Sequence, residues 1–542
     1  MQQIIARTHD GRTVTTAPQD AAAPRTLAQA LFLAGLWREV PLCAGQGRCG
    51  LCRVRFISAP PDPRAEELRR LGPERVAEGW RLACLHPAVS CEVEVPASPR
   101  AARSGSAPGA PPGQASGAAS GAASTAASTA ASGKPLKLAV DLGTTTLHWA
   151  ATDGARVVAQ GGALNPQMGL GSEVMARLAF AATPGGAATL RGLVLDRLRE
   201  IMAELPGPVD GLAVSGNPAM AALLLGLDTA TLAAAPYALP DPCGRECDLG
   251  PGLPPAYVPP LLSPFIGADL SAGLAALLFS DSPPKPPFLL ADLGTNGEFI
   301  LDLGPRRLAA SVPMGPALEG VGLSCGRTAA PGVITAFRLS PVLPLGLEPI
   351  YGAGAAQGAP LGLTGTASLS LCALLLRCGL LSREGHFITT PASPSPLAAK
   401  VAAGFTELRG ERALALAHGV ALTASDVEEL LKVKAAFNLA LSALLEAAGL
   451  AHGELGSLHL AGAMGEHVGL DDLERLGFLP PGLAARTKRA GNTSLAGTLL
   501  LLTDPQARPW LEALPRPETL DLASAPEFGA RYLQRMVFTH VQ

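Results

Sequence analysis

One sequence pattern occurs twice in the 542-residue chain, about 150 residues apart. An apolar strand, the residues Asp-Leu-Gly-Thr and a second strand make up both LAVDLGTTTLHWAAT (138–152) and LLADLGTNGEFILDL (289–303). Such self-similarity is typical of duplicated structural units. Strands that alternate with long Ala- and Leu-rich helices surround both copies, which predicts α/β architecture. The pattern therefore predicts two related half-domains, at residues 136–285 and 286–505.

Each copy places an aspartate at the end of a strand and a Gly/Thr turn after it. A phosphate chain needs close backbone approach, hydroxyl donors and a carboxylate that holds Mg²⁺, and the two turns supply all three. A lone turn of this kind fits an ordinary hairpin equally well, whereas two in equivalent contexts favour opposite walls of one phosphate-binding cleft. The sequence has no G-x4-G-K-[ST] motif, which disfavours a P-loop protein. The candidate residues are Asp141, Gly143, Thr144, Thr145, Thr146, Asp292, Gly294, Thr295, Asn296 and Glu298.

Four cysteines near the N-terminus are spaced as ligands of an iron–sulfur cluster. Three lie in CAGQGRCGLC with the spacing C-x5-C-x2-C, and 31 residues separate the third from the fourth, which lies in RLACLHP. Four thiolates are what a 2Fe–2S cluster needs, and the glycines among them let the loop wrap tightly with its amides toward the sulfurs. Structural zinc usually uses two short C-x2-4-C pairs, and only one is present, so zinc is the weaker alternative. The candidate ligands are Cys43, Cys49, Cys52 and Cys84.

These cysteines belong to a small domain that we predict at residues 1–97. Its predicted elements are strands at Ile4–Arg7, Thr13–Thr16, Arg53–Ile57 and Ser90–Val95 and a helix at Thr26–Leu36. Alternating apolar residues indicate the strands, and Thr26 is a suitable N-cap for the helix. Two strands, a helix, a loop and further strands favour a β-grasp arrangement, which is an α+β fold. Cys91, in the last strand, is expected to be a small buried hydrophobe.

Residues 98–135 are predicted to be a flexible linker. From Ser98 to Lys134 the sequence has no large apolar residue, so no core can compensate for the entropy lost on ordering the backbone. A coil of this length spans on the order of 30–37 Å, from about 5–6 Å times the square root of its length. Such a tether can carry the first domain between two docking positions, although an inert spacer explains the composition equally well.

The N-terminal segment resembles the ferredoxins whose cluster loop has the same C-x5-C-x2-C spacing. The body resembles the superfamily of acetate and sugar kinases, Hsp70 and actin, which implies a two-lobed ATPase with a duplicated RNase H-like fold. More narrowly, the chain resembles the reductive activators of corrinoid-dependent enzymes, which join the same two parts through a linker. The segments that carry this narrower resemblance are NPQMGLGSEVMARL (165–178), GNPAMAALLLGL (216–227), PFIGADLSAGL (264–274), DLGTNGE (292–298), MGPALEGVGLSCG (314–326) and AGNTSLAGTLLLL (490–502).

A third segment contributes to the expected nucleotide site. Residues 458–468, LHLAGAMGEHV, read as a strand, a Gly-rich turn and the start of a helix. Gly462 and Gly465 would let a nucleoside lie close to the backbone. Taken alone this is an ordinary strand-to-helix connection, but its late position in the second half is where the resembled fold family places its adenosine contacts.

The resemblance implies an ATP-hydrolysing iron–sulfur reductase with a 2Fe–2S cluster, ATP and Mg²⁺ as cofactors. Its expected reaction passes an electron from the cluster to an inactive Co(II) corrinoid protein and restores Co(I). Asp141, Asp292 and Glu298 are then the catalytic residues, while Glu319 and Glu466 are weaker candidates that could instead cap helices. The expected partners are a corrinoid-binding methyltransferase component and an unidentified low-potential electron donor, and a homodimer is left open.

Two other functions stay open at this point. An activator of a radical dehydratase also pairs an actin-like ATPase with iron–sulfur chemistry, but there a 4Fe–4S cluster lies between two subunits within the ATPase fold. A second cluster site would need five scattered cysteines that burial explains more simply: Cys243, Cys247, Cys325, Cys372 and Cys378. The other alternative is a nucleotide-sensing scaffold that positions a ferredoxin without turnover.

Composition narrows the partners and the location. The net charge is −3, and no basic run interleaved with aromatic residues is present, which argues against nucleic acid. The N-terminus has no signal-peptide pattern, and no apolar stretch reaches the roughly 18 residues that a membrane span needs. We therefore expect a cytoplasmic protein without a membrane segment. Residues 506–542 are predicted to be a C-terminal segment that docks on the body, because the apolar pattern of Ala525–Gln542 indicates a packed strand or helix.

Overall fold

The structure is a computed structural model that describes most of the chain. The described residues are 3–17, 25–45, 47, 49–97, 135–352, 359–390, 395–408, 410–417, 419–462, 468–522 and 525–541. Residues 98–134 of the predicted linker, together with the candidates Gly465 and Glu466, lie outside these ranges. One large hydrophobic core extends from the N-terminal domain into the first half of the body, and another fills the second half.

The N-terminal domain is a mixed sheet with the strand order β2-β1-β5-β3-β4. Its elements are β1 Ile4–Thr8, β2 Thr13–Thr16, α1 Leu27–Leu33, β3 Arg53–Phe56, α2 Ala65–Leu71, α3 Pro73–Ala77, β4 Trp80–Leu82, a 3₁₀ turn at Ala83–Leu85 and β5 Cys91–Val95. The predicted N-cap forms, because the Thr26 side chain accepts a hydrogen bond from the Gln29 N–H. Helix α1 ends three residues earlier than predicted, where Gly35 takes a φ of +98°. The β-grasp prediction is confirmed.

The first half of the body is built on a six-stranded sheet with the order β10-β11-β9-β6-β7-β8. Its elements are β6 Leu136–Leu142, β7 Thr146–Thr152, β8 Val157–Leu164, α4 Val174–Ala181, α5 Gly186–Glu204, β9 Val209–Gly216, α6 Pro218–Leu225, α7 Ala230–Ala233, β10 Arg245–Cys247, β11 Ala256–Val258 and α8 Ala268–Leu278. Strands β6 to β8 form an antiparallel meander, and β9 runs parallel to β6. The buried strands are rich in apolar residues because helices cover the sheet.

The second half has the order β22-β21-β12-β13-β14-β23 and repeats five strands of the first sheet, whereas its sixth strand, β23, lies at the opposite edge from the position of β10. Its first elements are β12 Phe288–Leu293, β13 Asn296–Asp302, β14 Arg307–Pro313, a 3₁₀ turn at Pro316–Glu319, β15 Val333–Leu339, β16 Leu347–Tyr351, β17 Gly362–Leu363, α9 Gly365–Arg377, α10 Pro396–Ala402, β18 Phe405–Leu408, β19 Glu411–Ala417, β20 Val420–Thr423 and α11 Ala424–Ala448. The rest are 3₁₀ turns at His452–Glu454 and Ala484–Arg486, β21 Ser457–Gly462, α12 Leu470–Arg475, β22 Thr487–Gly491, α13 Thr493–Thr503, α14 Ala507–Glu512, β23 Glu518–Leu520 and α15 Phe528–Gln534. Strand β12 heads an antiparallel meander and pairs in parallel with β21, as β6 does with β9. The internal repeat in the sequence therefore marks two sheets that share a five-stranded arrangement.

Helix α13 follows strand β22 of the second sheet but packs on the first sheet. It contacts α8, β6 and β9, and its Leu501 and Leu502 share a hydrophobic cluster with Ala139 and Ala213. The boundary at residue 505, which includes this helix in the second half, stays a prediction.

The C-terminal segment returns to the body as α14, β23 and α15. Strand β23 extends the second sheet by pairing in parallel with β14. Lys434, on the long helix α11, is buried and donates a hydrogen bond of 3.1 Å to the carbonyl of Arg535. Phe538 is buried against the same core. The segment thus contacts the body as a strand and as helices.

Among the helices of the described ranges, no single one is both long enough and apolar enough to cross a membrane. Helices α4 and α5, which are joined by a sharp bend, reach that length and apolar composition only when they are taken together.

Candidate functional site

The two Asp-Leu-Gly-Thr turns face each other across one cavity of about 560 Å³, which we call the central cleft. Asp141 and Asp292 occupy the same position, next to the last residue of β6 and of β12. The hydroxyl groups of Thr145 and Thr295 meet at 3.0 Å, so the turns are in direct contact. The sequence-predicted residues that line the central cleft are Asp141, Gly143, Thr144, Thr145, Thr146, Asp292, Gly294, Thr295, Asn296, Glu298, Glu319 and Gly462.

Asp141 is held by the first residues of α13. The side-chain amide of Asn492 donates to its Oδ2 at 2.7 Å, and the hydroxyl of Ser494 donates to its Oδ1 at 2.8 Å. Both carboxylate oxygens therefore accept a hydrogen bond, which fixes the orientation of the carboxylate. This contact also explains why α13 crosses to the first sheet.

Four further carboxyl groups lie around the second turn: Glu298 is buried, and Asp269, Asp292 and Glu319 are partly buried. Burial is the main cause that raises the pKa of Asp269 to about 6, and it also raises the pKa of Asp292 well above its usual range. Burial and the neighbouring Asp269 raise the pKa of Glu298, and burial raises that of Glu319. Groups of like charge this close repel one another when ionised, so the central cleft favours protons or a bound cation.

Two carboxylate oxygens give a direct test of whether a cation fits here. Oε2 of Glu298 and Oε2 of Glu319 are buried and have no hydrogen-bond partner among the described residues. A buried oxygen without a partner costs free energy, and Mg²⁺ prefers carboxylate oxygens as ligands. The residues present therefore fit Mg²⁺ bound with phosphates. In the part of the chain that the structure describes, no three or more His, Cys, Asp or Glu side chains are already arranged around a single ion position.

Gly462 closes the floor of the central cleft at the end of β21. Its φ is +70°, and a Cβ atom at this position would lie 2.4 Å from Oδ1 of Asp292. No side chain fits there without displacing the carboxylate or the backbone of the turn. The backbone at Gly462 therefore lies against the second turn, and the approach of a nucleoside to this glycine stays a prediction.

The four candidate ligands in the N-terminal domain surround one small pocket. Cys43, Cys49, Cys52 and Cys84 all line it. The thiols are close enough that hydrogen bonding to Cys43 is the largest cause that raises the pKa of Cys49 and of Cys84. The N–H of Leu51 points to the sulfur of Cys49 at 3.4 Å. Four thiols around one pocket, with a backbone donor to a sulfur, fit an iron–sulfur cluster.

The loop that carries three of these cysteines has the backbone that its glycines were expected to permit. Gly45, Gly47 and Gly50 have φ values of +105°, +67° and +68°. Such angles bring successive carbonyls and amides around a tight turn, which only glycine adopts at low cost. Burial raises the pKa of Cys91 to about 11, in keeping with a thiol that packs in the sheet rather than in the pocket.

The five other cysteines do not converge. Cys243 and Cys247 pack in a small cluster of the first half, whereas Cys325, Cys372 and Cys378 belong to the core of the second half. Burial is the first cause that raises the pKa of Cys372 and of Cys378. These thiols lie in two different cores, so they do not line a common site.

Sequence reasoning missed several polar residues of the site, three of which lie at the starts of helices. Asp269 is the second residue of α8, Asn217 caps α6 and Asn492 caps α13. The side-chain amide of Asn217 donates to the hydroxyl of Thr144 at 2.8 Å. All three lie in segments that carried the family resemblance, and an Asn or Asp before a helix is a recognisable N-cap signal. That signal predicts a cap but not a second contact across the cleft.

Comparisons with known proteins agree with this arrangement. The family model "RACo middle region" matches residues 136–282, and "C-terminal domain of RACo the ASKHA domain" matches residues 287–542. A solved structure titled "Reductive activator for corrinoid,iron-sulfur protein" has the same fold, with a TM-score of 0.65 and 21% identity over 100% of this chain and 99% of that chain. It shows that the ferredoxin-like and actin-like parts occur together in one known fold.

Two curated relatives are similar over most of the chain. "Corrinoid activation enzyme RamQ" of Eubacterium limosum is 27% identical over 429 residues, which is 74% of this chain and 70% of the relative. "[Co(II) methylated amine-specific corrinoid protein] reductase" of Methanosarcina barkeri is 29% identical over 367 residues, or 60% of this chain and 62% of the relative. Together the two family models span nearly all of the body, and the chain belongs to the RACo family, the reductive activators of corrinoid-dependent enzymes.

Proposed function

We propose that this protein uses ATP to drive the transfer of one electron from a 2Fe–2S cluster to a corrinoid protein in the inactive Co(II) state, which restores Co(I). The observation that carries the proposal is the combination, in one chain, of a buried four-thiol pocket and a central cleft with two phosphate-type turns. The names of the two relatives, a corrinoid activation enzyme and a Co(II) corrinoid protein reductase, support the choice of acceptor.

In the N-terminal domain the four cysteines hold the cluster and shield it. Cys43, Cys52 and Cys84 are buried, so the sulfurs are largely removed from water. When bound, a 2Fe–2S cluster supplies one-electron transfer, at roughly −400 mV in plant-type ferredoxins. The Leu51 N–H stabilises negative charge on the sulfur of Cys49.

In the body, residues of both turns bind ATP and take part in its hydrolysis. The hydroxyls of Thr144, Thr145 and Thr295 bind phosphate oxygens, and the glycines of the turns allow the backbone to approach them. Asp141 and Asp292 organise Mg²⁺ and the attacking water. Glu298, which is buried and close to Asp292, assists the deprotonation of that water.

ATP is needed because Co(II) in a corrinoid is reduced to Co(I) only at very low potential, below that of a ferredoxin-type donor. Nucleotide can shift such an unfavourable equilibrium only by binding two conformations with different affinity. The turns touch directly through the hydroxyls of Thr145 and Thr295, so a phosphate bound by both turns requires this contact to open. Closure and opening of the lobes is then the step that nucleotide controls.

The partners in this proposal are a corrinoid-binding methyltransferase component and a low-potential electron donor that keeps the cluster reduced. A cytoplasmic location is part of the proposal, because a low-potential cluster with cysteine ligands is favoured in a reducing compartment. A homodimer is compatible with the proposal but is not required by it.

The test is anaerobic and uses the full-length, cluster-loaded protein. The protein is pre-reduced, a corrinoid protein in its Co(II) state is added, and absorbance is followed for Co(I) with and without Mg-ATP. Formation of Co(I) only with Mg-ATP supports the proposal. Failure with every corrinoid protein tried, despite an intact cluster spectrum, contradicts it.

Two alternatives are separated by simple measurements. Activation of a radical dehydratase would require a second cluster, and therefore about four or more iron atoms per chain instead of about two. The five remaining cysteines lie in two separate cores, which disfavours that second site. A nucleotide-sensing scaffold would bind ATP without turnover, so the release of phosphate distinguishes it from an ATPase.

A further inference from the structure

The N-terminal domain rests on the body through residues 165–172, which follow β8 and which we call the seat segment. The ring of Phe32 packs against Gly169 so closely that a Cβ atom there would lie 2.2 Å from it. The hydroxyl of Ser172 donates a hydrogen bond of 3.2 Å to the carbonyl of Cys43. Gly169 also lines the pocket of the four cysteines. The seat segment therefore covers the cluster loop.

The beginning of the same segment holds the first turn of the central cleft from behind. The side-chain amide of Asn165 donates to the carbonyl of Gly143 at 2.7 Å, and its backbone N–H donates to the carbonyl of Thr145 at 2.8 Å. Nη2 of Arg177 donates to the carbonyl of Thr144, which lies between them. Three consecutive carbonyls of the turn thus bond to this part of the chain, and both Thr144 and Thr145 also line the central cleft.

Arg177 is hydrogen-bonded both to the seat segment and to the first turn of the central cleft. Its Nε donates to the carbonyl of Gly171 at 2.8 Å, and its Nη1 donates to Oε1 of Gln167 at 3.1 Å. The side chain is completely buried, and a buried guanidinium is tolerated only when its donors are satisfied. Burial lowers its pKa to about 9, while the negative charge of Glu319 in the central cleft opposes that change. One buried cation is therefore bonded both to the turn and to the seat segment.

We infer that Arg177 is a positioning residue that makes the docking of the N-terminal domain depend on the nucleotide in the central cleft. The inference rests on the proposed function and adds to it the residue through which the two sites communicate. A displaced Thr144 carbonyl pulls on Arg177, which is bonded to Gly171, next to the Ser172 that contacts the cluster loop. Release of this contact frees the N-terminal domain to carry its cluster loop to the corrinoid partner.

The geometry of the turns sets the direction of the effect. Two hydroxyl oxygens 3.0 Å apart, as in Thr145 and Thr295, leave no room for a phosphate group between them. A phosphate bound by both turns must therefore push the two turns apart. On the side of the first turn, this separation moves the backbone carbonyls that accept hydrogen bonds from Asn165 and Arg177. Nucleotide binding therefore weakens the contact between the seat segment and the N-terminal domain.

Hydrogen–deuterium exchange of the full-length, cluster-loaded protein tests this inference without measuring activity. Peptides covering residues 27–45 and 165–172 are followed with and without Mg²⁺ and a non-hydrolysable ATP analogue. We expect exchange in both to become roughly tenfold faster with nucleotide, the factor that corresponds to a loss of about 1.4 kcal/mol of contacts. Loss of cluster absorbance to an iron chelator should accelerate in parallel, because Gly169 no longer covers the four-cysteine pocket.

Three variants separate coupling from simple destabilisation. Arg177→Lys keeps the charge but cannot bridge several carbonyls, so nucleotide should no longer change the exchange of residues 27–45. Arg199→Lys, on the exposed side of α5, is the matched control and should respond as the unaltered protein does. Gly169→Ala disturbs the contact between the seat segment and the N-terminal domain directly, because the new Cβ collides with Phe32. Residues 27–45 should then exchange fast both with and without nucleotide. This third variant keeps the inference testable if Arg177→Lys does not fold.

The inference is overturned if saturating nucleotide leaves the exchange of residues 27–45 unchanged, or if Arg177→Lys protein responds as fully as Arg199→Lys protein. In both cases the proposed function survives, provided that Mg-ATP still supports formation of Co(I). A protein that binds no nucleotide, as measured by calorimetry, overturns the inference and the proposed function together. The two failures are therefore distinguishable.

Discussion

The hydroxyl oxygens of Thr145 and Thr295 lie 3.0 Å apart, although 150 residues separate them in the chain. Thr145 is the fifth residue counted from Asp141, and Thr295 is the fourth counted from Asp292. The two sheets that carry these turns share the order of five strands. A duplicated unit that packs face to face brings equivalent turns onto opposite walls of one cleft. The relationship explains why a repeated motif, rather than one elaborate loop, builds the proposed nucleotide site.

Replacing the carboxylate of the first turn should stop ATP hydrolysis without affecting the cluster. We expect Asp141→Ala to lower ATP turnover and ATP-dependent formation of Co(I) on the order of 100-fold, the usual cost of losing a group that stabilises charge in the transition state. Phosphate release and Co(I) absorbance measure this effect, and the visible spectrum of the cluster should stay unchanged. Asp196→Ala, at an exposed position on α5, is the control. Retained activity in Asp141→Ala would contradict the proposed role.

Removing one pocket cysteine should remove the cluster, whereas removing the nearby strand cysteine should not. Cys84 lines the four-thiol pocket, but Cys91 does not. Because a 2Fe–2S cluster needs four ligands, Cys84→Ala should lose most of its iron and its visible absorbance. Cys91→Ala should keep about two iron atoms per chain. Iron analysis of both purified variants decides the point, and equal iron in the two would refute the ligand assignment.

A methyl group at Gly462 should damage the central cleft. The new Cβ would lie 2.4 Å from Oδ1 of Asp292, at a backbone φ of +70° that alanine adopts only with strain. We expect weaker nucleotide binding by calorimetry and a lower free energy of unfolding. Gly192→Ala is the matched control, because a Cβ there meets no atom within 4 Å. That change, inside α5, should raise the free energy of unfolding by roughly 0.5–1 kcal/mol. Similar nucleotide affinity in the two variants would argue against the proposed role of Gly462.

The carboxyl groups of the central cleft predict how pH and Mg²⁺ together affect the stability of the folded protein. Burial raises the pKa of Asp269 from 3.8 to about 6, so the folded protein binds this proton more tightly than the unfolded chain does. The resulting stabilisation is complete below the unfolded pKa and is lost as the pH rises through about 6. Asp292, Glu298 and Glu319 have raised pKa values and act in the same direction.

Mg-ATP should therefore raise the melting temperature more at about pH 8 than at about pH 5, because the cation then binds ionised carboxylates whose repulsion it relieves. Thermal unfolding at the two pH values, with and without Mg-ATP, measures the difference. Asp269→Asn should reduce the pH dependence of the nucleotide-free protein. A shift in melting temperature that is the same at both pH values would show that these groups do not hold the cation.

Local sequence determined much of this protein. The spacing of Cys43, Cys49 and Cys52 and the two Asp-Leu-Gly-Thr turns follow from short segments, in which each residue's neighbours fix its conformation. The alternation of strands and helices likewise predicted two related α/β halves, and the repeat located them. These features can be predicted from the sequence because helices and strands impose a residue pattern that repeats every few positions.

Only the tertiary structure decided which distant groups join these segments. Helix α13 crosses to the first sheet and brings Asn492 to Asp141, and Asp269 arrives from the start of α8. The packing of Phe32 on Gly169 joins two domains across the predicted linker. Such contacts depend on how complementary surfaces pack at long range, and no periodicity within a short segment encodes them. The sequence therefore determined the cysteine loop and the two turns, because each is a short local motif. Packing decided how close these motifs lie to one another and which residues connect them.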